Sequence, residues 1–160
     1  MARYVAAVDQ GTTGTRCIVF DRLGNPVASR YEEHRQVFPR PGWVEHDPLE
    51  IWRRTQAVMV ATLESGRVRP AEIEALGIAN QRETTVVWDR ATGRPCYNAI
   101  VWQCTRTQEI CQRMIDDGLG PLFRDRTGLV IATYFSGPKL KWLLDRVEGL
   151  RAEDERGDAI

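Results

Sequence analysis

Val8-Asp9-Gln10-Gly11-Thr12-Thr13-Gly14-Thr15-Arg16 is the stretch on which the reading of this chain turns. Apolar residues approach it from Tyr4 and leave it through Cys17-Ile18-Val19-Phe20. It therefore reads as the tight connection of a β-hairpin, with Asp9 at the end of the first strand. Gly11 and Gly14 let backbone N–H groups come close to a ligand, and the Thr12, Thr13 and Thr15 hydroxyls can donate to anionic oxygens. A nest of such donors suits a phosphate. Asp9 suits a magnesium ion, which prefers carboxylate and water oxygens. Arg16 adds a fixed positive charge. Gly/Thr turns also close ordinary hairpins, so composition alone leaves both readings open.

The bulk numbers narrow the class. At 160 residues the chain is the size of one domain. Lys+Arg and Asp+Glu balance at 22 each, so neither a nucleic-acid-binding patch nor an acidic disordered tract is indicated. No apolar run approaches the roughly 20 residues of a membrane span. Met1-Ala2-Arg3-Tyr4 does not open a signal peptide, which makes a cytoplasmic location the expectation. Cys17, Cys96, Cys104 and Cys111 form no C-x-x-C pair, and only His34 and His46 could assist them, so free thiols are expected rather than zinc or disulfides. His46 adjoins a helix start and reads as structural.

Working outward from the hairpin, residues 4–9 and 16–21 are strands, Asp21 to Pro26 is a turn, and Val27 to Tyr31 is a third strand. Residues 34–46 have no period and read as irregular. Asp47 as N-cap, Pro48 at the first position and Glu50 at the third then open a helix. Its apolar stripe runs through Ile51, Trp52, Thr55, Val58, Met59, Thr62 and Leu63, and Gly66 ends it. Trp52 and Trp142 are assigned to the core, while Trp43 and Trp88 are left unassigned. Ile73 to Ala79 is a strand that, following a helix, enters the sheet in parallel. Thr84 to Trp88 is expected to be another strand. Thr105 is expected to cap a helix bearing Ile110, Cys111, Met114 and Ile115 on one face. A short helix through Leu122-Phe123 ends near Gly128. Ser136-Gly137-Pro138 opens a last helix with Leu140, Leu143, Leu144 and Val147 inward, closed by Gly149. Residues 151–158 read as a charged, solvated tail. The order implies an α/β chain, a mixed sheet flanked by helices.

The residues from Asp9 to Arg16 resemble the N-terminal phosphate motif of the FGGY carbohydrate kinases. Four further stretches are similar to the glycerol kinase branch of that family: Pro41 to Pro48, Asn80 to Thr85, Asn98 to Cys104, and Thr127 to Val130 with Tyr134 to Gly137. The likeness runs through nearly the whole chain in order. It implies the actin-like, ribonuclease-H-like ATPase fold, in which two domains enclose a cleft. Residues 1–160 would then be the N-terminal part of the N-terminal domain, incomplete, with the second domain and the general-base aspartate lying beyond Ile160. The implied activity is transfer of the γ-phosphoryl of ATP to glycerol, with ATP and magnesium as cofactors, glycerol as small-molecule partner, and a homo-oligomeric parent. The 160 residues alone would be inactive.

The same resemblance assigns residues. Thr12, Thr13, Gly14 and Arg16 would contact the nucleotide phosphates, and Asp9 would organise magnesium through water. Gly14 stands where some relatives carry serine, so one hydroxyl is missing while the backbone N–H remains. No G-x-x-x-x-G-K-[ST] occurs, so this is not a P-loop. Arg82 and Glu83 match the polyol-binding pair. Chemically, Arg offers a fork of donors and Glu an acceptor, although such a pair is otherwise a surface ion pair. Tyr134 matches a third polyol contact and Trp102 the aromatic wall. Two alternatives remain open: another FGGY sugar kinase such as one acting on a pentulose, against which Arg82-Glu83 and Trp102 argue, and a non-catalytic module.

Overall fold

The computed structural model describes residues 3–160. In chain order its strands are β1 (Tyr4–Gln10), β2 (Gly14–Phe20), β3 (Pro26–Glu33), β4 (Glu45–His46), β5 (Ile73–Asn80) and β6 (Ala99–Ile100). Its α-helices are α1 (Pro48–Gly66), α2 (Gln108–Asp116), α3 (Gly120–Thr127), α4 (Ser136–Arg146) and α5 (Leu150–Glu155). The chain divides into two compact units. One runs to Gln36 and resumes over Asp47–Gln81; the other comprises Val37–His46 and Arg82–Ile160.

The first unit is the expected meander with a parallel addition. Its sheet has the order β3-β2-β1-β5, with β5 parallel to β1 and the other pairs antiparallel. Alternation sorts the side chains of β1 and β2 by face. Thr15 is buried, and Ala6, Val8, Cys17 and Val19 are buried and pack with Val58, Met59 and Leu63 of α1. The helix starts as the cap signals imply: the Asp47 carboxylate accepts the Leu49 N–H at 2.8 Å. After Gly66, Arg67 takes a left-handed φ of 52°. Glycine at 66 also permits close approach to β3, since a Cβ there would lie 2.8 Å from that of Ala28. Trp52, expected in the core, is 59% exposed. It lies six residues before Val58, which turns it roughly 120° away from the buried stripe. Leu76 and Ile78 of the edge strand β5 are exposed as well.

In the second unit the segment expected to be irregular contributes β4, which pairs antiparallel with β6. Thr84 to Trp88, expected as a strand, forms only the isolated bridges Thr85 to Ile100 and Trp88 to Pro95. Its β-branched run has strand propensity, but β6 is two residues long and offers no continuous ladder. The core gathers Val87, Ile100, Cys104, Leu143, Leu150 and Ala159, with Trp43, Tyr97 and Trp142 packed against it. Trp142 is thus where the sequence puts it, and Trp43 meets it edge-on with centroids 5.3 Å apart.

Two helix boundaries differ from expectation. α2 begins after Thr107, because the Thr105 hydroxyl donates to the Gly42 carbonyl at 3.0 Å instead of capping. Its buried residues are Ile110 and Cys111, while Ile115 is exposed. α3 ends at Thr127, with Gly128 left-handed at φ 73° as its cap, near the expected end. α4 ends at Arg146, and its buried stripe is Lys139 and Leu143 rather than one including Leu140. Gly149 opens α5 instead of closing α4. The charged stretch 151–158 is consequently no tail. Leu150 and Ala159 anchor it in the core, and the Ile160 N–H donates to the Trp88 carbonyl at 3.0 Å.

Glu45 organises the polar interior of this unit. It is 2% exposed, and its carboxylate accepts from the Tyr97 hydroxyl at 3.1 Å, the Asn98 amide at 2.9 Å and the Arg106 guanidinium at 2.6 Å. Arg106 in turn stacks 4.0 Å from the Trp43 ring centroid and 4.7 Å from that of Trp142. His46 is fully buried, in keeping with a structural role. All four cysteines are free thiols. Among the described residues no helix is long and apolar enough to cross a membrane.

Candidate functional site

In the first unit the Gly/Thr turn is drawn tight by the Gly11 N–H, which donates to the Gly14 carbonyl at 2.9 Å. Its other carbonyls are also tied back into the protein. That of Gly11 accepts from the Gln10 and Gln81 side-chain amides at 2.8 and 3.3 Å. The Gln36 amide binds the Thr12 carbonyl at 2.9 Å, and the His34 N–H binds the Thr13 carbonyl at 3.2 Å. A turn whose carbonyls are occupied by protein donors presents less negative surface to an anion, which fits a phosphate loop. Burial holds the His34 imidazole below its usual range, so this neighbour adds no charge at neutral pH.

Register aligns Asp9 with Arg16, and Arg16 with Tyr31, so the three share one face across β1, β2 and β3. The Arg16 guanidinium lies 5.5 Å from the Tyr31 ring centroid, and the Tyr31 hydroxyl is 3.1 Å from that of Thr13. Sequence reading missed Tyr31. The signal was available in the meander, because an antiparallel register decides which β3 residue stands beside Arg16. The structure also gives Gly14 a packing reason. A Cβ there would lie 2.4 Å from the Glu32 carbonyl oxygen and 2.7 Å from the Tyr31 ring. This backbone has no room for the serine of some relatives unless β3 shifts.

Among the described residues no group of three or more His, Cys, Asp or Glu is placed to hold a metal ion. The single carboxylate of Asp9 fits an ion such as magnesium that keeps water and phosphate as its main ligands. It does not fit a cage made by the protein.

The second unit assembles Glu83, Trp102 and Tyr134. Glu83 occupies the left-handed region at φ 65°, at a cost of about 1–2 kcal/mol for a non-glycine residue. Its carboxylate accepts both the backbone N–H and the hydroxyl of Ser136, each at 2.7 Å. Ser136 is the first residue of α4, so the charge also meets the positive end of that helix. Two charge-assisted bonds of this kind outweigh the backbone cost. The Trp102 N–H donates to the Thr84 hydroxyl at 3.3 Å, and its ring meets that of Tyr134 with centroids 5.8 Å apart. Tyr134 is 38% exposed. Arg82 is exposed in the turn just before Glu83. A fixed carboxylate, an accessible phenol and an indole wall form a surface suited to a small hydroxylated molecule, with the donors and acceptors such a molecule can match.

Sequence reading also missed Lys139, which is fully buried and donates to the Tyr134 and Phe135 carbonyls. Nothing in the apolar periodicity of α4 marks a buried lysine. A broad concavity bounded by Trp43, Tyr97, Arg106 and Trp142 lies in this unit too, and none of the candidate polyol residues lines it.

Residues 4–155 match the N-terminal domain of the FGGY family of carbohydrate kinases. The chain is 58% identical, over all of its 160 residues, to a glycerol kinase from Roseiflexus sp. (strain RS-1), and spans 32% of that protein's length. Over 157 residues it is 56% identical to a glycerol kinase from Mycobacterium tuberculosis (strain ATCC 25177 / H37Ra), covering 98% of this chain and 30% of that one. Its fold superposes on Plasmodium falciparum glycerol kinase with ADP at a TM-score of 0.92 and 33% identity, over 98% of this chain and 31% of that structure. A xylulose kinase from Lactobacillus acidophilus shares the fold at a TM-score of 0.81 and 22% identity, over 89% and 28%. FGGY kinases have an actin-like ATPase fold, and the β3-β2-β1-β5 sheet with its helices is the part of it seen here. The chain belongs to the FGGY family of carbohydrate kinases, through the N-terminal domain of that family.

Proposed function

We propose that this chain is the N-terminal part of an ATP-dependent glycerol kinase, which transfers the γ-phosphoryl of ATP to a terminal hydroxyl of glycerol. The observation that carries the reading is the Glu83 carboxylate, locked onto Ser136 at the start of α4 in the same unit as the Trp102–Tyr134 ring pair. The names of relatives at 54–58% identity support the same substrate. In this reading Glu83 accepts from glycerol hydroxyls, Arg82 donates to them, Tyr134 contributes its own hydroxyl, and Trp102 covers the carbon chain. Thr12, Thr13, Gly14 and Arg16 hold the nucleotide phosphates. Asp9 holds magnesium through water. Bound there, it would supply positive charge against the charge that develops on transfer. The general-base aspartate lies beyond Ile160, and the parent protein is cytoplasmic and homo-oligomeric.

Phosphoryl transfer is mostly positioning and charge stabilisation, so the residues assigned here bind and orient rather than react. The direct test offers the full-length protein Mg-ATP with glycerol or xylulose. The expected kcat/KM for glycerol exceeds that for xylulose by at least about 100-fold, which a site built on matched hydroxyl contacts can achieve. A preference for xylulose would assign the chain to another branch.

Asp9 has its own test. Asp9→Asn keeps the shape and removes the charge. It is expected to lower kcat about 100-fold, the scale on which a lost electrostatic contact acts, and to raise the magnesium concentration needed for half-maximal rate. Unaltered magnesium dependence would remove Asp9 from the metal.

A further inference from the structure

We infer that Lys139 is a positioning residue for the polyol site: its ammonium grips the main-chain carbonyls just ahead of α4 and so fixes where Tyr134 and Ser136 stand. The inference rests on the functional reading above, which places Tyr134 and Glu83 on glycerol.

The geometry is specific. Nζ of Lys139 donates to the carbonyl of Tyr134 and to that of Phe135, the latter at 3.2 Å. These carbonyls belong to the residue that presents the phenol and to its neighbour, whose ring meets that phenol edge-on with centroids 5.1 Å apart. The next residue, Ser136, supplies both donors that hold Glu83. The three-residue segment 134–136 is therefore held from two sides, by Lys139 on its carbonyls and by Glu83 on its donors. A shift of the segment would move two of the assigned glycerol contacts together.

Stability gives no reason for this lysine. Lysines ordinarily extend along the surface and keep the ammonium in water, yet Lys139 is wholly buried. No carboxylate of the described residues lies within ion-pair distance of it, so burial of the charge is not repaid by a salt bridge. A cation in the first turns of a helix also opposes the helix dipole. The titratable groups acting on it are Glu83 from the turn after β5, Cys104 from the loop after β6, and Cys111 from α2. Burial outweighs them and pushes the amine down to about 8. At pH 7 it is mostly protonated; raising the pH through that value removes the proton, weakening both carbonyl contacts and the charge facing Glu83.

The test uses the full-length protein with Lys139→Met, similar in length and uncharged, and Lys139→Arg, which keeps charge and donors. Glycerol KM, ATP KM, kcat and Tm are measured for each. Lys139→Met is expected to raise the glycerol KM at least about 20-fold, leave the ATP KM within about twofold, and keep Tm close to wild type. Lys139→Arg is expected to restore part of the glycerol affinity. In the wild type the glycerol KM should climb between pH 7 and 9, and this climb should vanish in Lys139→Met. A purely structural lysine predicts the opposite: a lower Tm with the glycerol KM unchanged, or both KM values raised alike. Either result overturns the inference. Should Lys139→Met not fold, the wild-type profile decides, because a flat glycerol KM from pH 7 to 9 overturns the role on its own. A wild type that does not phosphorylate glycerol overturns the functional reading and this role with it. An active wild type with an unaffected Lys139→Met overturns the role alone.

Discussion

Arg82→Ala in the full-length protein is expected to raise the glycerol KM about 100-fold while leaving the ATP KM within about twofold. A guanidinium donates charge-assisted bonds to a polyol, and losing such contacts costs about 1.5–3 kcal/mol, or roughly 10- to 150-fold in binding. Arg82 is exposed in the turn ahead of Glu83, so the change in Tm is expected to be small. Arg82→Lys should recover only part of the affinity, because a point charge lacks the planar fork. Initial rates over a matrix of glycerol and ATP concentrations separate the two constants. An unchanged glycerol KM would take Arg82 out of the site and leave Glu83, Trp102 and Tyr134 to carry it.

Glu45→Ala is expected to be the most destabilising single change in the second unit, costing about 3–5 kcal/mol. Three donors converge on that carboxylate, from Tyr97, Asn98 and Arg106. Removing it strands a guanidinium whose side chain has no exposed surface. In a protein of several hundred residues this corresponds to a fall in Tm of roughly 3–8 °C. Burial holds the Tyr97 phenol up, so no new anion forms there to help Arg106 at neutral pH. The double change Glu45→Ala with Arg106→Met should recover much of the loss, since an apolar side chain suits the space between Trp43 and Trp142. Thermal melts of the two single variants and the double variant check this. Additive losses would mean that the pair is not the coupled unit its 2.6 Å contact describes.

The candidate site was legible in its residue types and not in its contacts. Asp9, Thr12, Thr13, Gly14 and Arg16 sit in one turn, so their proximity follows from chain continuity. Tyr31 joins them only through the register of β2 on β3. Glu83 and Ser136 are 53 residues apart, and nothing in either neighbourhood announces the other. Lys139 was hidden for a related reason. A helical stripe read from apolar residues selects Leu140 and skips the lysine beside it, whereas packing turns α4 by one residue to bury Lys139.

By itself the sequence determined what local physics decides: the Gly/Thr hairpin, the meander that follows, α1 with its Asp47 cap and Pro48 start, and the parallel entry of β5 after a helix. These rest on side-chain period, capping and turn chemistry, all of which act within a few residues. Only the tertiary structure decided the rest. It left Trp52 outside the core, reduced Thr84 to Trp88 to isolated bridges, folded the charged stretch 151–158 back onto Leu150 and Ala159, and made Glu45 a buried partner of Arg106, 61 residues away. Each of these depends on which distant surface becomes available to desolvate a side chain or satisfy a buried charge. That is a property of the packed chain and not of any window along it.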